Sequence, residues 1–398
     1  MRMRWRVAKP GGIGMNDFLR IYVIWAPARD EASSKHAADI IAKHFDGIGM
    51  ERDGVAYRVP VRFRSEPWRA GSILPRPIDL SLAEHNAIVL LHDQFMHQDR
   101  SEWDAYISSL KGEMGRRGDV DIYIPFGSPT GEPPLPSEKL IQYVYRRKWA
   151  TSLATGEQRD TRLLLHVVFT IRHQLREMLQ PGLTPEKLFV SHAKADGDNV
   201  AQAIVDYVND TSQDVPLKTF YDAKELIPGL DFQKAFQREI GQGTLLAIVS
   251  DVYDSRPWCV FELTTAKRSR RPIVLADVGR IRTSRTYPYG ANVPKLRVAE
   301  TGGAWIEPLL VETLSEGLRC DLVAAQGARL LAAAGISASD ALILPRPPEL
   351  FDLADAKALP ENIVYPDPPL AKLEQEILNN ALSVLSPTSK LLTLAEVR

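Results

Sequence analysis

Apolar residues fall along this chain in short runs separated by helical patterns, a rhythm repeated more than once. The first run, Ile21 to Trp25 (IYVIW), precedes a helical pattern from Ser33 to Phe45 and the alternating stretch Tyr57 to Phe63 (YRVPVRF). Ala87 to Leu91 (AIVLL) and Asp121 to Pro125 (DIYIP) predict two more buried strands, with a helical stretch, Ser101 to Leu110, between them. Strand, helix, strand in alternation points to α/β architecture, a parallel sheet with crossover helices.

A Pro/Gly-rich segment, Ser128 to Ser137, interrupts this half, and a predicted helix from Thr161 to Leu179 closes it before Pro181 and Gly182. The rhythm then restarts. Leu188 to Val190, Leu217 to Tyr221, Leu245 to Val249 and Pro272 to Ala276 read as strands; Asp198 to Val208, Phe232 to Ile240 and the stretch from Pro257 read as helices. The run NAIVLLHDQF aligns with TLLAIVSDVY, which sets Trp103 opposite Trp258 and Ile107 opposite Glu262. A diverged duplication accounts for this, as would two unrelated α/β domains.

The remainder is a helical Ala/Leu-rich stretch from Leu309 to Ala334, then Ala341 to Leu344, Asn362 to Tyr365 and a last predicted helix. That helix is expected to be capped by Asp367, with Pro368 and Pro369 in its first turn. The domains expected are a lead-in at 1–16, an α/β domain at 17–180, a second at 184–305, and a helical linker with a partial α/β unit at 306–398.

Composition adds limits. Lys and Arg (49) balance Asp and Glu (50), so no global field draws the chain to nucleic acid or an anionic membrane. Two cysteines, Cys259 and Cys320, make no disulfide framework and point to free thiols in a reducing, cytoplasmic compartment. No apolar run approaches the roughly 20 residues of a membrane span. No phosphate loop, zinc-type spacing or nucleophile elbow is present, which removes kinase, metalloprotease and esterase readings and leaves no metal site expected.

Candidate chemistry gathers at predicted strand ends. Ser191, His192 and Asp196 lie just beyond one strand, and in open parallel sheets ligands bind at the carboxyl ends of strands. The stretch SRPWCVFELTTAK places Trp258 and Glu262 four apart on one helix face, beside an apolar stripe of Cys259, Leu263 and Ala266. Glu262 reads either as a surface partner of Arg256 or Lys267, worth roughly 0–1 kcal/mol, or as a working carboxylate. Phe220 or Tyr221 with Trp258 could frame a ring, or simply pack. The cations from Lys267 to Arg271 suit a helix C-terminus with or without a phosphate to hold.

In order and spacing, KLFVSHAKAD, TFYDAKELIPGLDFQKAF, LLAIVSDVYDSRPWCVFEL and RPIVLADV resemble the boxes of a Toll/interleukin-1 receptor (TIR) domain, over roughly Lys187 to Val278. The resemblance implies flavodoxin-like parallel sheets in two tandem copies plus a C-terminal partial α/β unit. It also implies cleavage of the nicotinamide–ribose bond of NAD, with NAD as substrate and no other cofactor. In that reading Glu262 is the catalytic residue and stabilises an oxocarbenium-like ribose, while Ser191, His192, Phe220, Tyr221, Asp222 and Trp258 contact the substrate. Glu225, Leu226, Pro228 and Gly229 belong to the loop that packs neighbouring TIR domains, so self-association is expected, together with a trigger-sensing partner and a role in bacterial anti-phage defence. A non-catalytic TIR scaffold is the alternative. The first half, with Ile107 in place of the acid, is expected to sense or to bind a partner.

Overall fold

The computed structural model describes residues 17–27, 32–45, 59–181, 188–210, 215–216, 220–221, 237, 240, 243–280, 290–299, 304–354 and 359–397. These residues form an α/β protein with three parallel sheets. Two compact units divide the chain, one of residues 1–34 and 59–143, the other of residues 35–58 and 144–398.

In the first unit, β1 (Asp17–Ile24), β2 (Val61–Arg64), β3 (Ala83–Leu91) and β4 (Ile122–Gly127) stand in the order β2-β1-β3-β4. Register is set by Ile21 opposite Val61 on one side and Ala87 on the other, with Ala87 opposite Ile122. Residues 86–91 are buried without interruption, as expected of a parallel strand covered on both faces. Asp93 ends β3 and starts a short helix, α2 (Gln94–Gln98), by accepting the Phe95 and Met96 N–H groups; α3 (Arg100–Arg116) follows. The sequence signals Ser101 to Leu110 as helix; the element runs further because Met114 continues its buried stripe.

The second unit holds β5 (Leu188–His192), β6 (Phe220–Tyr221), β7 (Thr244–Val249), β8 (Ile273–Asp277) and β9 (Lys295–Arg297), ordered β9-β8-β7-β5-β6. Counted within its own sheet, the order second, first, third, fourth strand recurs in both, and the second sheet adds a fifth strand, β9, beyond its fourth. The chain therefore reverses its direction of winding beside β5, the kind of switch point where α/β sheets open a crevice. Helix α5 (Asp198–Asn209) follows β5, and α6 (Pro257–Arg268) follows β7. Phe189, Leu245, Ala247, Cys259, Leu263, Ala266 and Ile273 form the core between this sheet and α6.

Two long helices, α4 (Gly156–Leu179) and α7 (Ile306–Ala333), pack together in the second unit. Helix α4 starts five residues before the predicted Thr161 because Thr155 and Gln158 form a reciprocal capping box. Arg162 and Tyr207 both bond Glu307, and Arg172 pairs with Asp321 at 3.0 Å. Gly317 makes room for this: a Cβ there would stand 1.9 Å from the Arg172 guanidinium. Helix α1 (Ala32–Phe45) is tied to the same pair by His36 to Asp160 at 2.8 Å and His44 to Ser315 at 3.0 Å.

The third sheet, β10 (Ala341–Ile343), β11 (Asn362–Tyr365) and β12 (Lys390–Thr393), is parallel in the order β10-β11-β12. Ile363 and Tyr365 face α8 (Lys372–Leu385) through Leu378 and Leu382, while Val364 packs with Leu331 of α7. The helix does not begin at Pro368. It begins at Lys372, and the Asp367 carboxylate accepts the Ala395 N–H instead of capping it. No helix among the described residues is long and apolar enough to cross a membrane. Cys259 and Cys320 are free and buried.

Candidate active site

The carboxyl edge of the second sheet collects the chemistry. Strand β5 is longer than the predicted LFV, so Ser191 and His192 belong to the strand itself, opposite Ala247 and Ile248 of β7. Ser191 is buried and its Oγ lies 2.8 Å from the Tyr253 hydroxyl; the His192 ring, one position on, faces Asp198 at 3.2 Å. Beyond the strand, Asp196 joins two strand ends. Its carboxylate accepts the Ser250 hydroxyl at 2.5 Å and the Val252 N–H at 3.2 Å, which fixes the loop after β5 against the loop after β7.

Helix α6 starts with Pro257 at its first position, where a missing N–H costs nothing. Its apolar stripe, Cys259, Leu263 and Ala266, is pulled onto the sheet, and the face next to it carries Trp258 and Glu262. The Trp258 indole N–H donates to Glu262 Oε1 at 2.7 Å, and its ring tilts against Phe261. Glu262 is 7% exposed. Burial pushes its carboxyl up to about 7, while hydrogen bonds from Ser191 and Trp258 pull only part of the way back.

Neither surface cation takes the role that spacing allowed it. Lys267 is fully buried, paired with Glu349 at 2.9 Å and donating to the Ala291 carbonyl. The reading of Lys267 as a surface partner of Glu262 or as part of a phosphate-holding run is corrected accordingly. Burial also pushes the Cys259 thiol up to about 12, so it packs as an unreactive group and donates to the His192 carbonyl.

The other expected site residues divide in two. The backbone of Phe220 and Tyr221 forms β6, opposite Leu188 and Phe189. Asp222, Glu225, Leu226, Pro228 and Gly229 lie outside the described residues, as do most of the helix expected at Phe232 to Ile240. The site gains Tyr253 and Ser250 as partners, the second of them held by the expected Asp196. Their sequence signal was the polar stretch directly after each apolar run. Among the described residues no group of His, Cys, Asp and Glu is arranged to hold a metal ion.

The fold and this edge define an α/β protein with parallel sheets and a buried carboxyl on the helix that follows β7. No family model and no curated protein matches the chain. Solved structures with some likeness include a tagatose-6-phosphate ketose/aldose isomerase from Escherichia coli, 12% identical, covering 77% of this chain and 83% of that one at a TM-score of 0.20. Another is a phosphosugar isomerase candidate from Clostridium difficile 630, 10% identical, covering 76% and 84% at a TM-score of 0.18.

The TIR resemblance is therefore corrected: no family model and no curated protein supports such a domain in this chain. The NAD-cleaving activity, the anti-phage role and the TIR scaffold alternative are set aside with it. The quoted boxes share an apolar run beside polar residues, a sequence pattern common to parallel α/β sheets with a ligand edge. Similarity at that level reports architecture. At such TM-scores the neighbours carry no argument for isomerase activity in this chain either.

Proposed function

We propose that the carboxyl edge of the second sheet is an active site for acid–base chemistry on a small polar substrate, with Glu262 as the group that takes and returns the proton. The observation that carries this is a nearly buried carboxyl, on the helix that follows β7, whose partners Trp258 and Ser191 are neutral. A purely structural position of this kind is better filled by an apolar side chain, because burying an acid without a cation costs stability. A carboxyl poised near neutrality has both forms populated and can act as base and as acid.

The supporting parts have distinct roles. Trp258 fixes the carboxyl rotamer by its N–H, and the Ser191 hydroxyl, itself held by Tyr253, supports the carboxylate form. Asp196 holds the loops after β5 and β7 in fixed relation, which keeps this edge preorganised.

The test is untargeted mass spectrometry of a small-metabolite extract incubated with the full chain and with Glu262→Gln. Consumption of at least one metabolite is expected, with a rate break near pH 7 and a loss of about a hundredfold or more in the variant. Absence of any consumed metabolite, or equal consumption by the variant, overturns the reading.

A further inference from the structure

The second unit holds a pocket of about 400 Å³ that shares no residue with the edge carrying Glu262. It opens where α4 and α7 begin, with Tyr207 of α5 in its wall. Its volume lies in the range of small-molecule sites.

One member of the lining is a carboxylate with an oxygen to spare. Glu307 is 6% exposed, and the little surface it keeps belongs to the pocket. Arg162 Nε donates to Glu307 Oε1 at 2.6 Å, and the Tyr207 hydroxyl donates to the same oxygen while accepting from Arg162 at 3.0 Å. Every bond that Glu307 makes among the described residues therefore falls on Oε1, and Oε2 accepts from none. A carboxylate oxygen withdrawn from bulk water without a donor costs free energy, and the pocket is the space from which a donor can come.

The rest of the lining offers both donors and acceptors. The Thr155 hydroxyl accepts the Gln158 N–H and the Gln158 side-chain oxygen accepts the Thr155 N–H, which leaves the Thr155 O–H and the Gln158 amide NH₂ to donate. The Ser152 and Thr161 hydroxyls donate to the Lys148 and Glu157 carbonyls at 3.0 and 2.8 Å, which leaves their oxygens to accept. These local bonds fix the groups before binding, so a ligand pays little ordering. A hydroxyl both donates and accepts, and a molecule carrying several of them answers such a set.

Charge narrows the choice. Among the described residues no Lys, Arg or His is in the lining, so an anion finds no counter-charge. An ammonium gains little more, because Glu307 is already paired with Arg162 and the second carboxylate, Glu157, is exposed, where ion pairs contribute little.

We infer that this pocket binds a small neutral polyol, one hydroxyl donating to Glu307 Oε2 and others meeting Gln158 and Thr161. The inference does not depend on Glu262.

Sorbitol is the probe, titrated into the full chain up to about 10 mM and followed by ligand-detected NMR. Gluconate and 1-amino-1-deoxysorbitol place an anionic or a cationic end on the same carbon skeleton, and 1,6-hexanediol keeps only two hydroxyls. Saturable binding of sorbitol is expected, with gluconate and 1,6-hexanediol at least about tenfold weaker and the amine no more than about threefold tighter. Ala304→Trp fills the pocket from an exposed position without touching the bonds above and should abolish binding. Glu307→Gln should weaken sorbitol about tenfold. Because that change also takes the counter-charge from Arg162, Thr161→Val repeats the test with the ion pair intact and should weaken sorbitol about fivefold. No saturable sorbitol binding, gluconate or 1,6-hexanediol within tenfold of it, the amine more than threefold tighter, or binding untouched by Ala304→Trp or by Thr161→Val each overturns the inference.

Discussion

Two glutamates, one in each unit, are buried to a similar degree and titrate in opposite directions. Glu138 of the first unit is fully buried against His92 at 3.1 Å and accepts the Tyr123 hydroxyl at 2.5 Å. Burial alone would push its carboxyl up, but hydrogen bonding and the charge of His92 outweigh this and hold it below the usual carboxylate range. Glu262 of the second unit has the indole of Trp258 and the hydroxyl of Ser191, both neutral, and burial wins. Depth is thus not what sets the direction in which these two carboxyls shift. Their partners are.

The same contrast appears on the matching helices. In α3, Trp103 and Ile107 are both fully buried and form plain core; in α6, the equivalent spacing sets an indole N–H on a carboxylate. One helix spends the position on stability and the other carries a group that opposes it.

Breaking the first pair should have the largest effect. Glu138→Leu strips His92 and Tyr123 of their acceptor and should destabilise the first unit by about 3 kcal/mol at pH 7, read from hydrogen exchange of the β3 amides. Wild-type Glu138 stabilises the fold at pH values above its unfolded carboxylate range, and that contribution is lost as the pH falls through its depressed folded value. A variant no less stable than wild type would make the pair incidental.

Glu262 should show the reverse sign. The native chain keeps this proton to about pH 7, whereas the unfolded chain gives it up near 4.5, so stability falls as pH rises between the two and levels off above. That difference is equivalent to about 3 kcal/mol at 1.36 per pH unit. Glu262→Gln should therefore be close to neutral at pH 4 and more stable than wild type at pH 8 by about 2 kcal/mol, allowing for the weaker hydrogen bonds of an amide. Hydrogen exchange of the β7 amides at the two pH values measures it, and a destabilised variant at pH 8 would place Glu262 among structural residues like Glu138.

The smallest change sharpens the cause. Trp258→Phe keeps the ring and removes the N–H, so the charged carboxylate loses about 1 kcal/mol of support and Glu262 should titrate somewhat less than one pH unit higher. Carbon NMR of the Glu262 carboxyl resolves this; an unmoved or lowered titration would show that the indole does not stabilise the anion.

Much of the molecule is legible in its residues. Apolar runs place β7, β8 and β11 closely and find the second halves of β1 and β3, and the spacing of Trp258, Cys259, Glu262, Leu263 and Ala266 assigns the correct faces of α6. Less visible are β12, whose KLLT run is short and follows a Ser/Pro turn, and α2, which depends on Asp93 capping across a sharp bend. The TIR resemblance misled for the same reason that the strands were readable: both rest on the apolar-then-polar rhythm common to parallel sheets.

The amino-acid sequence by itself determined the alternating α/β order, the absence of a strong net field, and the helix face that carries Glu262. These follow from local periodicity and composition, which act over a few residues. Tertiary structure alone decided the partners. Lys267, one turn beyond Glu262, is drawn away to Glu349, and Ser191 and Tyr253, remote from each other along the chain, are brought together on the carboxyl's side of the sheet. Whether a buried acid meets a cation or a hydroxyl depends on contacts between distant segments, and in a medium of low polarity that choice sets the charge of the acid at neutral pH.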